Sequence, residues 1–316
     1  MTQCLITGIG GFLGSHLANF ALTRGWTVFG ILRSDSRNID EIRHRVDLFR
    51  GDILDKTQVE DAVMKIRPEV IFHLAAQSSP SASWREPERT FHVNILGTLN
   101  LLDAVRRASL RPIIVVAGSS AEYGFSHPDE IPIQEDRPLR PASLYGVSKM
   151  ASSALALLCH RMFDMKVLVV RPFFVIGPRK VGDVCSSFAR GIVAVESGTQ
   201  ASLRVGNLEA VRDFLDVEDA VQALWRLAEE GASGEAYNIC SGVGHKIATV
   251  LEVFLKMGSR PIRVEHDPAL LRPVDEPIVV GDNSRLRALG WVPRVSLSDS
   301  LRSILDYWRS RMEVSA

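Results

Sequence analysis

The chain has 316 residues, of which 46% are hydrophobic and 23% are charged, and its formal net charge is zero. This composition is typical of a globular enzyme with one large domain or two smaller ones. A neutral chain lacks the basic field that holds nucleic acid or an anionic membrane, so neither is an expected partner.

Other broad classes are also disfavoured. No apolar run approaches the roughly 20 residues that span a bilayer, and no signal pattern precedes the first predicted strand. We therefore expect a cytoplasmic protein. The four cysteines are scattered without the spacing of metal ligands, so no metal site is predicted. They are Cys4, Cys159, Cys185 and Cys240.

Short apolar, β-branched runs alternate with helical patterns over the first half of the chain. The predicted strands lie at residues 3–7, 26–32, 46–50, 70–74, 113–118 and 166–171. Strands that alternate with helices in this way predict a parallel sheet with helices on both faces. The fold class is therefore α/β, with a doubly wound sheet.

A glycine-rich run, TGIGGFLG, links the first predicted strand to the first predicted helix. It contains Gly8, Gly11 and Gly14. Glycines let the backbone turn tightly and approach a pyrophosphate, and the N-terminus of the following helix offers unpaired N–H groups to phosphate. The run predicts a dinucleotide site that includes Phe12 and Leu13.

The end of the second predicted strand bears on the choice of dinucleotide. An acidic residue usually stands there in NAD-binding folds and accepts a hydrogen bond from the ribose 2′-hydroxyl. This chain instead has Arg33, with Ser34 and Arg37 nearby. Because an arginine pairs well with a 2′-phosphate, we expect NADP(H). Asp35 leaves NAD(H) open.

Three residues have the pattern of a catalytic group. Tyr145 and Lys149 lie four apart on a helix predicted to begin near Ser143, so both project from one face. An adjacent ammonium favours the phenolate and would bring the tyrosine pKa, ordinarily about 10, towards neutrality. Ser119 follows the strand at 113–118, at the sheet edge where ligands bind, and can bond a substrate oxygen. Together with the glycine run, these residues predict a nicotinamide-dependent oxidoreductase.

The motifs resemble those of the extended short-chain dehydrogenases, a group of nucleotide-sugar epimerases, dehydratases and reductases, over nearly the whole chain. The resemblance implies a Rossmann sheet with Ser119, Tyr145 and Lys149 as the catalytic triad, the last two also beside the cofactor. It implies further cofactor contacts after several strands. These are Asp52, Ile53, Leu74, Ala75, Ala76, Gln77, Asn94 and Pro172. From the residues alone, Asp52 could be a turn residue and Asn94 a helix cap.

Within that family, several segments resemble the branch of GDP-mannose 4,6-dehydratases and their partner reductases. They are AAQSS from Ala75 with Trp84, GNL from Gly206, RDFLDV from Arg212, RP from Arg272 and GDNS from Gly281. The resemblance implies a nucleotide-sugar substrate and a set of contacts to it, namely Ser78, Ser120, Phe174, Arg179, Arg190, Arg212 and Arg272. Phe174 departs from the asparagine usual in the family. Arg212 and Arg272 could instead form structural ion pairs.

The segment after the fifth strand weighs against dehydration. Members that resemble 4,6-dehydratases carry an acidic pair, or at least a glutamate, two and three residues before the tyrosine equivalent to Tyr123, where this chain has Ala121 and Ser120. Glu122 is displaced by one residue, which points a side chain elsewhere. We expect a reductase that passes hydride from NADPH to the C4 keto group of a GDP-4-keto-6-deoxyhexose, giving a GDP-D-rhamnose type of product. A 4-epimerase with bound NAD is the alternative, ahead of a 4,6-dehydratase and a non-catalytic dinucleotide sensor.

The pattern loosens after the sixth strand, with helices predicted at 216–230 and 246–257. We expect a dinucleotide-binding domain at residues 1–171 and a mainly substrate-binding part at 172–316. The two parts are predicted to interleave near 212–240. There, the segments Phe214–Val217, with its following helix, and Ala236–Cys240 could return to the first sheet.

Two predicted helices, Asn94–Ala108 and Ser143–Phe163, carry apolar and small residues on more than one face. Helices at these places resemble those that form a four-helix bundle between two subunits of the family. The resemblance therefore implies a homodimer, although burial within one chain would also explain the pattern.

Overall fold

The computed structural model describes residues 2–271 and 275–313, and its centre is a seven-stranded sheet. In chain order, the strands of these residues are β1 Gln3–Thr7, β2 Thr27–Leu32, β3 Asp47–Arg50, β4 Val70–His73, β5 Ile113–Ala117, β6 Val167–Pro172, β7 Phe174–Ile176, β8 Leu203–Val205, β9 Val211–Asp216, β10 Ala236–Ile239, β11 Gly244–Lys246, β12 Val264–His266 and β13 Ile278–Val279.

The strand order of the large sheet is β10-β6-β5-β4-β1-β2-β3, and every neighbouring pair is parallel. All six strands predicted from the sequence belong to it, so the doubly wound α/β fold is confirmed. β1 lies between β2 and β4, and the chain therefore reverses its winding direction beside β1. In open α/β sheets, ligands bind at the carboxyl edge next to this reversal.

The helices cover both faces of the sheet. Those of the described residues are α1 Phe12–Thr23, α2 Lys56–Ile66, α3 Pro80–Arg85, α4 Pro87–Phe91, α5 Gly97–Arg107, α6 Leu144–Phe163, α7 Val184–Glu196, α8 Val217–Glu230, α9 Ile247–Met257, α10 Ser284–Ala288 and α11 Leu297–Glu313. Helices α1 and α8 pack on one face, and α2, α5 and α6 pack on the other. Residues such as Cys4, Leu5 and Ile6 of β1 are completely buried, as expected for a strand covered on both sides.

The second part has its own core, formed by α7, α9 and α11 against two small sheets. In one of these sheets β9 pairs with β7, β11 and β13, and in the other β8 pairs with β12. The expectation that Phe214–Val217 could join the first sheet is wrong for the strand, because β9 pairs within the second part. Its following helix, α8, does pack on α1, and β10 extends the first sheet beside β6.

One helix boundary also differs from the expectation. Asn94 does not open a helix, since α4 runs through a π-helical turn, His92–Leu96, directly into α5. Elsewhere the ends agree closely, and Ser143 caps α6 by accepting a hydrogen bond from the N–H of Gly146 at 3.0 Å. Among the described residues, none of the helices combines the length and apolar character required to cross a membrane.

Candidate active site

The glycine-rich run forms a tight loop against the segment that follows β4. Gly8 has φ +75°, and a Cβ on it would lie 2.8 Å from the backbone N of Ala75. A Cβ on Gly14 would lie 2.2 Å from the carbonyl oxygen of Gly8, so α1 packs too closely for any side chain there. No side chain caps the N-terminus of α1 at Gly11. The helix end therefore keeps the features that bind a phosphate.

A buried histidine ties this loop to its neighbours. His73 Nδ1 lies 2.8 Å from Thr7 Oγ1, and its Nε2 lies 2.9 Å from Thr98 Oγ1. Burial, with a contribution from the charge of Lys149, lowers the pKa of His73 to about 3. The imidazole is therefore neutral, and it links β1, β4 and α5 as a structural group.

Asn94 lies in the π-helical turn and is 1% exposed. Its amide oxygen accepts from the N–H of Gln77 at 2.8 Å, and its nitrogen donates to the Gln77 carbonyl at 3.1 Å and to Ser148 Oγ at 2.8 Å. The extra residue of a π turn re-aims a side chain relative to a regular helix. Asn94 thus fixes the loop after β4 to α6, which carries Tyr145 and Lys149.

The structure brings the predicted triad together where β5 meets α6. A Cβ on Gly146 would lie 2.4 Å from the Ala121 carbonyl oxygen, so the first turn of α6 packs directly against the segment after β5. Tyr145 is hydrogen-bonded to the side chain of Ser119. Lys149 donates from Nζ to the carbonyl oxygen of Ala117 at 2.6 Å.

Burial dominates the titration of these groups. Burial raises the pKa of Tyr145 to about 12. The hydrogen bond from Ser119 lowers this pKa, and the charge of Glu122 raises it further. Burial lowers the pKa of Lys149 to about 8, and Glu122 opposes that shift. The expectation that Lys149 brings the Tyr145 pKa towards neutrality is therefore not met in this structure, because burial dominates and raises that pKa. The phenol stays protonated.

Glu122 points into the core, away from the site edge. It is fully buried, and its carboxylate accepts from the backbone N–H of Ser119, from Ser153 Oγ and from the side chain of Arg171. Glu122, displaced by one residue from the position of the dehydratase acid, therefore points elsewhere, as predicted from the sequence. This acid is not placed to remove a proton from a substrate.

The loop after β2 is rich in charge. Arg33 is about half exposed, with its guanidinium 4.0 Å from the Asp52 carboxylate. Asp35, the acid that left NAD open, is ion-paired with both Arg43 and Arg50 at 2.7 Å. These arginines hold the Asp35 pKa below its usual range. The Asp35 carboxylate is therefore already engaged in two ion pairs.

Polar residues that the sequence analysis missed join this loop to the glycine loop. Ser36 Oγ and Asn38 Nδ2 both donate to the carbonyl oxygen of Gly10, at 2.6 and 3.1 Å. Ser148 was also missed, although it lies between Tyr145 and Lys149. The sequence signal for Ser36, Asn38 and Ser148 is weak, because isolated polar residues in loops and helices form no periodic pattern.

Arg179 lies beside the glycine-loop helix, apart from the other predicted substrate residues. Its φ is +72°, and its guanidinium lies 3.4 Å from Ser15 Oγ and 3.3 Å from the Glu41 carboxylate. The preceding Pro178 carbonyl contacts His16 of α1 at 3.1 Å. The segment after β7 therefore crosses near the N-terminal turns of α1.

The remaining substrate candidates are dispersed. Arg212 is 4% exposed, ion-paired with Asp275 at 2.6 Å and 5.2 Å from the Phe174 ring. Arg190 is exposed and stacks 5.1 Å from the Trp308 ring of α11. Arg272 lies outside the described residues. Ser78 is exposed in the loop before α3, and Ser120 begins a short helical turn, Ser120–Glu122.

The other cofactor candidates lie along the carboxyl edge of the sheet. Asp52 accepts from the N–H of Leu54 at 3.0 Å, in a turn that follows β3. Ile53 is buried against Gly97 of α5. Leu74, Ala75 and Ala76 are half-buried after β4, and Pro172 ends β6. Their roles in binding stay predictions.

The fold and the triad at its carboxyl edge define an extended short-chain dehydrogenase of the NAD-dependent epimerase/dehydratase type. The sequence model of the family "GDP-mannose 4,6 dehydratase" matches residues 5–304, and the chain belongs to this family. It is 36% identical to a GDP-6-deoxy-D-mannose reductase of Pseudomonas aeruginosa over 99% of both chains.

Comparison with solved structures supports the same family. The RMD protein of Pseudomonas aeruginosa, complexed with NADPH, superposes with a TM-score of 0.86 at 32% identity, over 98% of this chain and 100% of that one. UDP-glucose 4-epimerase of Thermus thermophilus, complexed with NAD, gives 0.87 at 30% identity, over 98% and 99%. The chain is therefore an NAD(P)-dependent oxidoreductase of the nucleotide-sugar-modifying short-chain dehydrogenases.

Proposed function

We propose that this protein is a reductase that uses NADPH to reduce the C4 keto group of a GDP-4-keto-6-deoxyhexose. The observation that carries the proposal is the segment Gly118–Gly124, which offers the hydroxyl of Ser119 to the site while its one acid, Glu122, is buried against Arg171. Dehydration needs a base at the substrate, whereas ketone reduction needs a proton donor. The 36% identity to a GDP-6-deoxy-D-mannose reductase supports the same choice.

The chemistry follows from the protonated tyrosine. The reduced nicotinamide, when bound, supplies the hydride. Ser119 orients the carbonyl oxygen by a hydrogen bond, and Tyr145, whose phenol burial keeps protonated, delivers a proton to that oxygen as negative charge develops. Lys149, held by Ala117 at 2.6 Å, places a positive charge beneath the site and compensates the charge left on Tyr145.

The substrate nucleotide is assigned to the second part of the chain, residues 172–316, which interleaves with the dinucleotide-binding domain through α8 and β10. We place its diphosphate beside Arg212, because Asp275 orients this buried guanidinium and Phe174 packs beneath it. Arg179 is reassigned to the cofactor, since it lies against Ser15 of the glycine-loop helix. The geometry gives no such argument for Arg190.

Activity with a panel of substrates tests the proposal. We expect stoichiometric NADPH oxidation with GDP-linked 4-keto-6-deoxyhexoses and much less with the dTDP- and UDP-linked forms. The competing 4-epimerase function, favoured by the likeness to a UDP-glucose 4-epimerase, predicts tightly bound NAD in the purified protein. Interconversion of two nucleotide sugars without net loss of NADPH would establish the epimerase and reject the reductase.

NADPH is proposed as the cofactor because Arg33 is available at the end of β2 while Asp35 is paired with Arg43 and Arg50. An Arg33→Gln change should raise the Kd for NADPH about 10- to 100-fold, as expected for one charge-assisted contact to phosphate, and leave the Kd for NADH unchanged. Fluorescence titration with both dinucleotides measures this. Arg24→Gln, at the far end of α1, is the control. Equal weakening of both dinucleotides would place Arg33 away from the 2′-phosphate.

The homodimer is proposed from an apolar surface on the π-helical turn His92–Leu96 and the adjacent helices α5 and α6. Leu96, Leu99, Leu158 and Met162 are between 41% and 66% exposed in the single chain. Two copies of this surface would make a four-helix bundle of self-complementary contacts. A Leu158→Glu/Met162→Glu variant should sediment as a monomer, while the exposed control Val243→Glu should behave as wild type. A monomeric wild-type protein at micromolar concentration would refute the dimer.

A further inference from the structure

Glu122 is a fully buried carboxylate with a complete set of partners. One of its oxygens accepts from the N–H of Ser119 and from Ser153 Oγ, both at 2.9 Å, and the other accepts from Arg171 Nε at 3.0 Å. A buried charge is tolerated only when it is paired and hydrogen-bonded in this way. The common feature of these contacts is that they converge behind the triad.

Arg171 fixes the carboxylate from the opposite side. Its guanidinium is itself almost completely buried at the end of β6, where it also donates to the hydroxyl of Tyr123 and to the Glu135 carbonyl, each at 2.9 Å. The same group lies 5.0 Å from the centre of the Tyr123 ring. An arginine held in this planar arrangement has little freedom, so it sets the position of Glu122.

The carboxylate in turn sets the conformation of Ser119. It bonds the backbone N–H of Ser119, while Ser119 Oγ accepts from the N–H of Ala121 at 3.2 Å, a reciprocal capping box. A Cβ on Gly118 would lie 2.2 Å from the Glu122 oxygen, so the carboxylate occupies the volume of a side chain there. Ser119 is therefore held at both its backbone and its hydroxyl.

The third partner lies on the catalytic helix. Ser153 is one turn beyond Lys149 on α6 and donates to Glu122, so the carboxylate connects α6 to the segment after β5. Its negative charge acts on both Lys149 and Tyr145. Glu122 thereby touches, or acts electrostatically on, every member of the triad without reaching the substrate.

We propose that Glu122, fixed by Arg171, is a positioning residue of this enzyme: it orients the Ser119 hydroxyl and supplies the buried negative charge that balances the ammonium of Lys149. The inference rests on the proposed reaction at the triad. It deepens that function, because it assigns a task to an acid that neither binds substrate nor acts as a base.

The charges around the site give the proposal a pH signature. The groups that face Lys149 and Tyr145 are Glu122 with its partner Arg171, and His73 on β4, whose pKa is far below neutrality. Burial is the main cause of the raised Tyr145 pKa, and the Glu122 charge adds to it and also raises the pKa of Lys149, so loss of that charge removes a contribution to both. Both pKa values then fall, so the alkaline decline of kcat/KM should move to lower pH.

Glu122→Gln is the direct test, since it removes the charge and keeps the shape. We expect kcat to fall at least about tenfold, with the KM for the keto sugar and the Kd for NADPH within about twofold, and the alkaline limb of kcat/KM to shift to lower pH. Glu130→Gln is the matched control, because Glu130 caps a short helical turn in the same way and pairs with Arg137. It should retain wild-type kinetics and the wild-type pH profile.

A second variant separates positioning from folding. Glu122→Gln leaves Arg171 buried without its anion, which destabilises the protein, whereas Glu122→Gln/Arg171→Met removes both charges and should recover the melting temperature. We expect kcat to stay low in the double variant. Full recovery of kcat together with stability would reduce the pair to a structural role and overturn the proposal.

A titration of Tyr145 needs no substrate, so it tests the role of Glu122 separately from the proposed reductase activity. The ultraviolet absorbance of tyrosinate, corrected with the Tyr145→Phe protein, should report Tyr145 ionising at lower pH in Glu122→Gln than in the wild type. If the wild type fails to reduce any 4-keto sugar, the reductase is rejected while this shift still supports the positioning role. An unchanged Tyr145 titration, or wild-type kcat in Glu122→Gln, would overturn that role even if the reductase is confirmed.

Discussion

A Tyr145→Phe enzyme is expected to lose about 10²- to 10⁴-fold in kcat while its Kd for NADPH stays within about twofold of the wild type. The phenol is buried, hydrogen-bonded to Ser119 and protonated, because burial raises its pKa to about 12. No other acid of the segment Gly118–Gly124 can deliver the proton in its place, since Glu122 is buried against Arg171. Steady-state kinetics and fluorescence titration of the same protein preparation measure both quantities.

The control for this substitution is Tyr237→Phe. Tyr237 is likewise buried and also loses a single hydrogen bond, which its hydroxyl accepts from the N–H of Ala232 at 2.9 Å. It lies on β10 and has no place in the proposed reaction, so the kcat of this variant should match that of the wild type. A Tyr145→Phe enzyme with more than about a tenth of wild-type kcat would mean that proton delivery does not run through Tyr145.

Local patterns in the sequence predicted the features that depend on neighbours in the chain. The six strands are apolar because both faces of the sheet are covered, so their burial is visible in each segment separately. The loop at Gly8–Gly14 is recognisable by its glycines because a Cβ on Gly14 would lie only 2.2 Å from the Gly8 carbonyl oxygen, which leaves no room for a side chain. The pairing of Tyr145 with Lys149 on one helix face follows from their spacing alone.

Features that join distant segments could not be predicted in this way. Asn94 looks like a helix cap in the sequence, whereas in the structure it lies in a π-helical turn between α4 and α5 and bonds Gln77, 17 residues away. The strand β9 contains both apolar and charged residues that do not assign it to either sheet, and its pairing with β7 decides the question. The sequence pattern predicts Arg179 as a substrate residue, and only its distance of 3.4 Å from Ser15, a contact between remote segments, supports the proposed cofactor role.

The same limit applies to the titration of the triad. The sequence indicates that Tyr145 and Lys149 are close, but the pKa of each depends on how deeply the site is buried and on which atom the ammonium contacts. Lys149 donates to the Ala117 carbonyl, which lies on β5 and is remote in sequence. Burial raises the pKa of Tyr145 instead of lowering it, and it lowers the pKa of Lys149, which leads to a prediction about stability.

A Lys149→Met protein is expected to be more stable than the wild type at pH 7 and nearly inactive. Burial lowers the pKa of Lys149 from 10.5 to about 8, so the folded state disfavours the ammonium at neutral pH. This shift corresponds to a cost of about 3 kcal/mol, of which about 1 kcal/mol is offset by the bond to Ala117 that methionine cannot make. The net gain of about 2 kcal/mol should appear in urea unfolding, with a kcat loss of at least about 100-fold.

The pH dependence distinguishes this cause from better packing by methionine. Between the folded and unfolded pKa values the unfolded wild type binds more protons than the folded protein, so wild-type stability rises with pH through that interval. The advantage of Lys149→Met should therefore be complete below pH 8 and disappear above about pH 10.5. Lys65→Met, at an exposed lysine of α2, should show no such pH-dependent difference. A gain for Lys149→Met that is equal at all pH values would assign it to packing, and a loss of stability at pH 7 would mean that the buried ammonium supports the fold as well as the reaction.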